Sequence, residues 1–103
     1  MVSSVPVGID VESMSSYDAE MVKAVMNDDE QQFIASSSSP SLAFIRLWTM
    51  KESFLKMTGK GVVADMRQVF SALPREGVDG TFSTPNAQFQ TIVFPQFVCT
   101  VCC

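Results

Sequence analysis

The residues best suited to chemistry come in two pairs. Asp10 and Glu12 stand two apart in VGIDVE, residues 7–12, and Glu52 and Lys56 stand four apart in WTMKESFLK, residues 48–56. On a strand, a side-chain period of two sends Asp10 and Glu12 to the same face. Two carboxylates side by side repel each other unless a cation sits between them. On a helix, Glu52 and Lys56 share a face as an i, i+4 pair. With that helix laid on that strand, the three acids supply a hard-oxygen site for magnesium, an ion that keeps several waters and takes further oxygens from a substrate phosphate. Each pair also has a plainer reading: solvated acids at an exposed strand end, and an ordinary helix ion pair.

Other residues of the same stretch extend the pattern. Lys51 points about 100° around a helix from Glu52, towards a different part of an extended ligand. Gly59-Lys60-Gly61 lets backbone approach a phosphate closely, and reads equally well as a helix stop. The GxxxxGK[ST] spacing of a P-loop is absent. Arg46, Lys51, Lys56 and Lys60 place four of the 7 bases within fifteen residues of a chain with 11 acids and a net charge of −4. One basic cluster in an acidic chain suggests a local anionic ligand, with the solvated face of a helix as the alternative. The overall acidity argues against nucleic acid as a partner.

The chain of 103 residues is expected to form one domain spanning 1–103, large enough to bury roughly 60–70% of its unfolded surface. With 47% apolar residues and 8 Phe, it is rich enough in apolar surface to fold. No secretory leader is evident, and no apolar run approaches the roughly 18 residues of a membrane helix, so a cytoplasmic protein with no membrane contact is expected. The 3 Cys all fall in the last five residues, too few for a disulfide framework. Cys99 and Cys102 form a CxxC with no second pair and no His, so FVCTVCC reads as an alternating strand rather than a zinc site.

The elements that must position the two pairs follow from periodicity. VPVGIDV, 5–11, reads as a strand whose Val11 points into the core, away from the acids. Ser16 is a candidate cap for a helix over 17–26, with Asp18 and Glu20 in its first turn. Asn27 and Glu30 have capping-box spacing for a second helix over 28–35. After the loop SSSSP, 36–40, a long helix over 41–58 carries Leu42, Ile45, Trp48 and Leu55 at helical spacing and ends at Gly59. Segments 67–73, 79–84, 87–94 and 96–103 then read as strands. One strand, three helices and several strands make an α+β layer protein.

VGIDVE and WTMKESFLK, with Glu12 and Glu52 forty residues apart, resemble the signature of the Sfp-type 4′-phosphopantetheinyl transferases: a GxDxE-like strand end, then a W-[ST]-x-K-E-[AS]-x-x-K helix, often followed by a G-K-G turn. The resemblance covers about residues 5–103. It implies an antiparallel sheet packed on a long central helix, and transfer of 4′-phosphopantetheine from coenzyme A to a serine of an acyl or peptidyl carrier protein. Asp10, Glu12 and Glu52 would then hold magnesium against the coenzyme A diphosphate. Glu52, or a water held at the metal site, would accept the serine proton. Lys56 would contact the phosphates and steady the leaving group, with Lys51, Lys60 and Gly61 further candidates for coenzyme A contacts.

Members of that family are usually about twice as long, with two similar halves enclosing the active site, and the first half supplies basic residues and a His. This chain has no His and matches only the second half. The resemblance therefore leaves three readings: a homo-oligomer, as in the short trimeric holo-acyl-carrier-protein-synthase branch, whose second motif nevertheless differs; a fragment of a longer chain; or pairing with another subunit that supplies the missing half. The alternative is an incomplete, non-catalytic domain that binds carrier protein or coenzyme A without turnover. A face left bare by a missing half should be apolar. Phe82, Phe89, Phe94 and Phe97 are candidates for it, with the intramolecular core as their other use.

Overall fold

A glycine between two branched apolar residues is a poor choice for strand stability, yet β1, Gly8–Ser13, begins on one. The reason is the helix above it. A Cβ on Gly8 would fall inside the carbonyl oxygen of Ser53 and lie 2.6 Å from the Met57 nitrogen, so β1 runs against the bare backbone of the long helix α3, Pro40–Thr58. The coordinates are a computed structural model, which describes residues 7–14, 18–59, 65–70 and 72–103.

Between β1 and α3 lie α1, Ala19–Val25, and α2, Asp28–Ser36. Asp18 is the cap of α1, its side chain accepting from the Glu20 N–H at 2.9 Å, so it stands outside the first turn expected to hold it; Ser16 lies outside the described residues. α2 starts on the expected capping box, with Asn27 Oδ1 accepting from Glu30 N–H (2.9 Å) and Glu30 Oε1 from Asn27 N–H (2.8 Å). α3 opens with Pro40 at its first position and closes at Gly59, whose φ of 74° is the left-handed conformation that favours glycine.

The remaining strands are β2 (Arg75–Glu76), β3 (Thr81–Thr84), β4 (Ala87–Val93) and β5 (Phe97–Cys102). They form one antiparallel sheet with β1, in the order β1-β5-β4-β3-β2. The expected strand over 67–73 is not formed by any of its described residues. Met66–Gln68 is a single 3-10 turn, with the Asp65 side chain accepting from Arg67 N–H at 2.9 Å. What read there as strand apolarity is Phe70, which enters the core edge-on to Phe54 and Phe89, at ring separations of 5.8 and 5.6 Å. Burying such a ring contributes about 1.5–3 kcal/mol without any ladder hydrogen bond.

The helices cover one face of the sheet. Phe82, Phe89, Val98 and Cys102 point to that face and join Phe44, Leu47 and Met50 of α3 in the core. The opposite face is open. Ile9 and Val11 are each 54% exposed, so Val11 faces away from the core rather than into it. Register places Ile9 beside Val101, and Val11 beside Cys99 and so Ile92; Phe94 and Phe97 stack at 4.5 Å at the end of the same face. The four phenylalanines named from sequence thus divide, two in the core and two on the open face.

Lys51 anchors the helical layer. Its ammonium donates to Glu30 Oε1 (2.6 Å), Val25 O (2.8 Å) and Met66 O (2.8 Å), with both charged side chains shut off from solvent. All three donors are used, and they tie the end of α1, the start of α2 and the 66–68 turn to α3. Burial pulls the Lys51 pKa down, while Glu30 supports the charged form. Removing one partner of a buried pair strands the other. Lys51→Met is therefore expected to lower stability by about 3–5 kcal/mol. Adding Glu30→Leu should restore part of that loss, as read from urea unfolding midpoints.

Candidate active site

β1 and α3 converge on one polar corner. Gly8 and Asp10 are buried and Glu12 is half-buried, all on the helix side of the sheet. Asp10 Oδ1 accepts from Lys56 Nζ at 2.8 Å, and the same ammonium reaches the Ile9 carbonyl at 3.2 Å. Lys56 thus pairs across elements with Asp10. Its pKa is raised, chiefly by that hydrogen bond. Asp10 Oδ2 is buried and has no hydrogen-bond donor.

The acids sense one another. Glu12 is pushed from 4.5 up to about 7, first by burial, then by the Asp10 carboxylate within proton-sharing reach and by the charges of Asp10 and Glu52. The Trp48 side chain, hydrogen-bonded to Glu12, works the other way by favouring its charged form. Glu52 is raised too, by burial and then by Asp10, with Lys56 opposing. When ionised, Glu12 offers Asp10 no donor, and Oδ2 stays a buried acceptor without one.

Beneath this corner runs a line of hydroxyls. Thr49 Oγ1 bonds the Ile45 and Arg46 carbonyls (3.0 and 2.9 Å) and Thr100 Oγ1 (2.8 Å), and Thr100 meets Thr91 Oγ1 at 3.2 Å. A hydroxyl carries one proton, so with Thr49 donating to its own helix, Thr100 donates to Thr49 and Thr91 to Thr100. The line fixes α3 to β5 and β4 beside Asp10, whose register partner is Thr100.

The structure therefore brings together Asp10, Glu12, Glu52 and Lys56. It does not bring Lys51 there. That side chain is buried with every donor taken, so the expected coenzyme A contact has no free donor, because the ammonium serves the helix layer instead. Arg46 lines a different part of α3, so the three described bases of the expected cluster, Arg46, Lys51 and Lys56, serve separate surroundings. Lys60 and Gly61 lie outside the described residues. Trp48 and Gly8 were the residues missed. Trp48 fits the apolar stripe of the helix in sequence, which hides its contact with Glu12, whereas a glycine inside a strand is a legible signal of close backbone approach.

Hard oxygens and an orphaned buried acceptor suit magnesium, and a cation here would relieve the repulsion that raises Glu12 and Glu52. The carboxylates converge without closing up: among the described residues no three His, Cys, Asp or Glu form a group able to hold a metal ion. The CxxC does not converge either. Three residues along a strand put Cys99 on the open face and Cys102 on the buried one, where its thiol contacts Met57 Sδ at 3.6 Å and is pushed up to about 12 by burial.

A family model for the 4′-phosphopantetheinyl transferase superfamily matches residues 6–102. The chain belongs to that superfamily. Among similar proteins, the 4′-phosphopantetheinyl transferase psf-1 of Bacillus pumilus is 31% identical over 94 residues, or 89% of this chain and 40% of that protein. The 4′-phosphopantetheinyl transferase gsp of Aneurinibacillus migulanus is 36% identical over 97 residues, 92% of this chain and 35% of that protein. The chain thus spans well under half the length of these transferases. The structure of Thermotoga maritima holo-[acyl-carrier-protein] synthase superposes with a TM-score of 0.75 at 16% identity, covering 95% of this chain and 61% of that one. The α+β superfamily fold, with an antiparallel sheet on a long helix, is thus present. No helix among the described residues is long and apolar enough to cross a membrane.

Two outcomes follow for this corner of the transferase fold. Gly8→Ala should force β1 off α3, lowering the melting temperature and weakening the Lys56–Asp10 contact, visible as a lowered Lys56 pKa by NMR titration. Separately, Glu12 and Glu52 hold protons in the folded state at pH values where the unfolded chain has released them. The contribution of Glu12 to stability is full below about 4.5 and lost as pH rises through about 7, and that of Glu52, also raised, is lost in the same direction. Without added divalent ion, the melting temperature should fall between pH 5 and pH 8, and Glu12→Gln should flatten that fall.

Proposed function

We propose that this chain carries the acidic half of a phosphopantetheinyl transferase site, acting in the cytoplasm on coenzyme A and an acyl or peptidyl carrier protein. The observation that supports this most directly is the β1–α3 corner: Asp10, with one carboxylate oxygen unsatisfied, beside Glu12, Glu52 and Lys56. Asp10, Glu12 and Glu52 would hold magnesium, which when bound supplies neutralisation of the diphosphate and of charge developing on its bridging oxygen. The carrier serine hydroxyl forms a bond to the phosphorus on the pantetheine side as the diphosphate bridge breaks. Adenosine 3′,5′-bisphosphate departs with the bridging oxygen. Glu52 takes the serine proton, a role helped by the rise of its pKa, which burial and Asp10 cause. Lys56 remains charged, being raised from an already high value, and its exposed ammonium holds phosphate oxygens. With Asp10 given over to holding an ion, that ammonium would be free to turn to the substrate.

The span of the chain relative to its relatives, together with the open apolar face carrying Ile9, Val11, Ile92, Phe94 and Phe97, supports action as a homo-oligomer or with a second half. The same two observations favour a second reading, a domain that binds coenzyme A or carrier protein without turnover. Mass spectrometry of a carrier protein incubated with this chain, coenzyme A and magnesium separates the two. Transfer predicts a carrier that gains phosphopantetheine, with Asp10→Asn and Glu52→Gln each lowering the rate about 10²-fold or more while the protein stays folded. Binding of coenzyme A with no gain of mass on several carriers would leave the second reading standing.

A further inference from the structure

At the opposite edge of the sheet from the acids, the start of α3, the end of α2 and the β2–β3 edge enclose a cleft of about 350 Å³. Leu42, Leu47, Met50 and Phe82 give it an apolar lining, and Ser37, Ser38 and Ser39 form a polar stretch of its wall. Arg46 lines the same space. On a helix turning about 100° per residue, the Leu42, Arg46 and Met50 stripe lies about 120° around α3 from the Trp48, Glu52 and Lys56 stripe. The cleft is lined from the β2–β3 edge of the sheet, and Asp10 and Glu12 lie on β1 at the other edge, so the two are separate.

Arg46 has no counterpart. Its Nε is buried without a hydrogen-bond partner, and among the described residues it makes no ion pair. Glu76 also borders the cleft, but it is exposed and does not come within ion-pair distance. A buried guanidinium donor left unmatched costs free energy that an acceptor would recover. The positive end of α3 has no acid in its own first turn, and Ser39 makes no side-chain cap there.

We infer that this cleft binds a small amphipathic monoanion, a carboxylate borne on an apolar chain of roughly eight to ten carbons, a size that a cavity at the small end of the ligand range admits. The carboxylate meets Arg46 in the planar, two-pronged geometry that guanidinium offers. The chain lies against Leu42, Leu47, Met50 and Phe82. A single positive side chain, with Glu76 on the border, suits one negative charge better than the two of a phosphate monoester.

Decanoate, kept below its micellar range, tests this against decanol on the unaltered protein, by calorimetry and methyl NMR. Saturable one-to-one binding is expected, with shifts at Leu42, Leu47 and Met50 and decanol at least tenfold weaker. Arg46→Gln should bring decanoate down to the decanol level, while Asp10→Asn leaves its affinity unchanged. The comparison of the two ligands on unaltered protein stands even where the Arg46 variant fails to fold. Equal affinities, no saturable binding, shifts centred on Ile9 and Val11, or a cleft filled by a second copy of the chain in solution would each overturn the inference.

Discussion

The site depends on one close approach. β1 lies so near α3 that only hydrogen fits at position 8, and this proximity lets an aspartate from one element and a lysine four turns along the other meet at 2.8 Å. The rest of the corner follows from that distance. With β1 further away, Glu12 and Glu52 would solvate separately and sit near their ordinary pKa values; at the distance found, burial and the charge of Asp10 raise both, and Glu52 adds to the rise of Glu12. The cost of crowding three carboxylates is offset only in part by Lys56. It persists because the contact is embedded in a core that the whole fold stabilises, which is how functional sites commonly hold unfavourable charge.

Two devices keep α3 in place under that load. On the sheet side, the hydroxyl line of Thr49, Thr100 and Thr91 joins the helix to β5 and β4. On the helix side, Lys51 ties together three segments otherwise linked by short loops. Both are buried polar contacts with defined partners, so they specify orientation as well as proximity. An apolar surface alone would tolerate a helix rotated by part of a turn, and a rotated α3 would carry Glu52 away from Asp10.

Much of this was legible from residue order. Period two in β1 placed Asp10 and Glu12 together, the Asn27–Glu30 box marked α2, and Gly59 marked the end of α3, because each signal is local and has a single physical meaning. Failures occurred where a residue type serves two purposes. Lys51 looked like a ligand contact because charge on a helix usually seeks solvent or substrate; only the tertiary placement of Glu30 and two backbone carbonyls made it internal. An apolar residue in a strand usually enters the core, which is what Val11 suggests in sequence, but the covered face of this sheet is the one holding the acids, so Val11 faces out. Around Phe70, alternation mimicked a strand because a single large side chain was enough to make an irregular segment apolar.

The CxxC near the end of the chain shows what a strand does to a pattern that means metal on a loop. Cys99 and Cys102 are separated by an odd number of steps, so the pleat turns one thiol outward and the other inward. They therefore meet different reagents. Cys99, half-buried beside Val11 and Ile92, and Cys103, exposed, are open to alkylation in the native protein. Cys102, enclosed with Met57 and disinclined to ionise, is reached when the sheet opens. The last few residues thus hold a built-in gauge of unfolding, in which modification of the middle thiol reports the loss of the sheet rather than the presence of an oxidant.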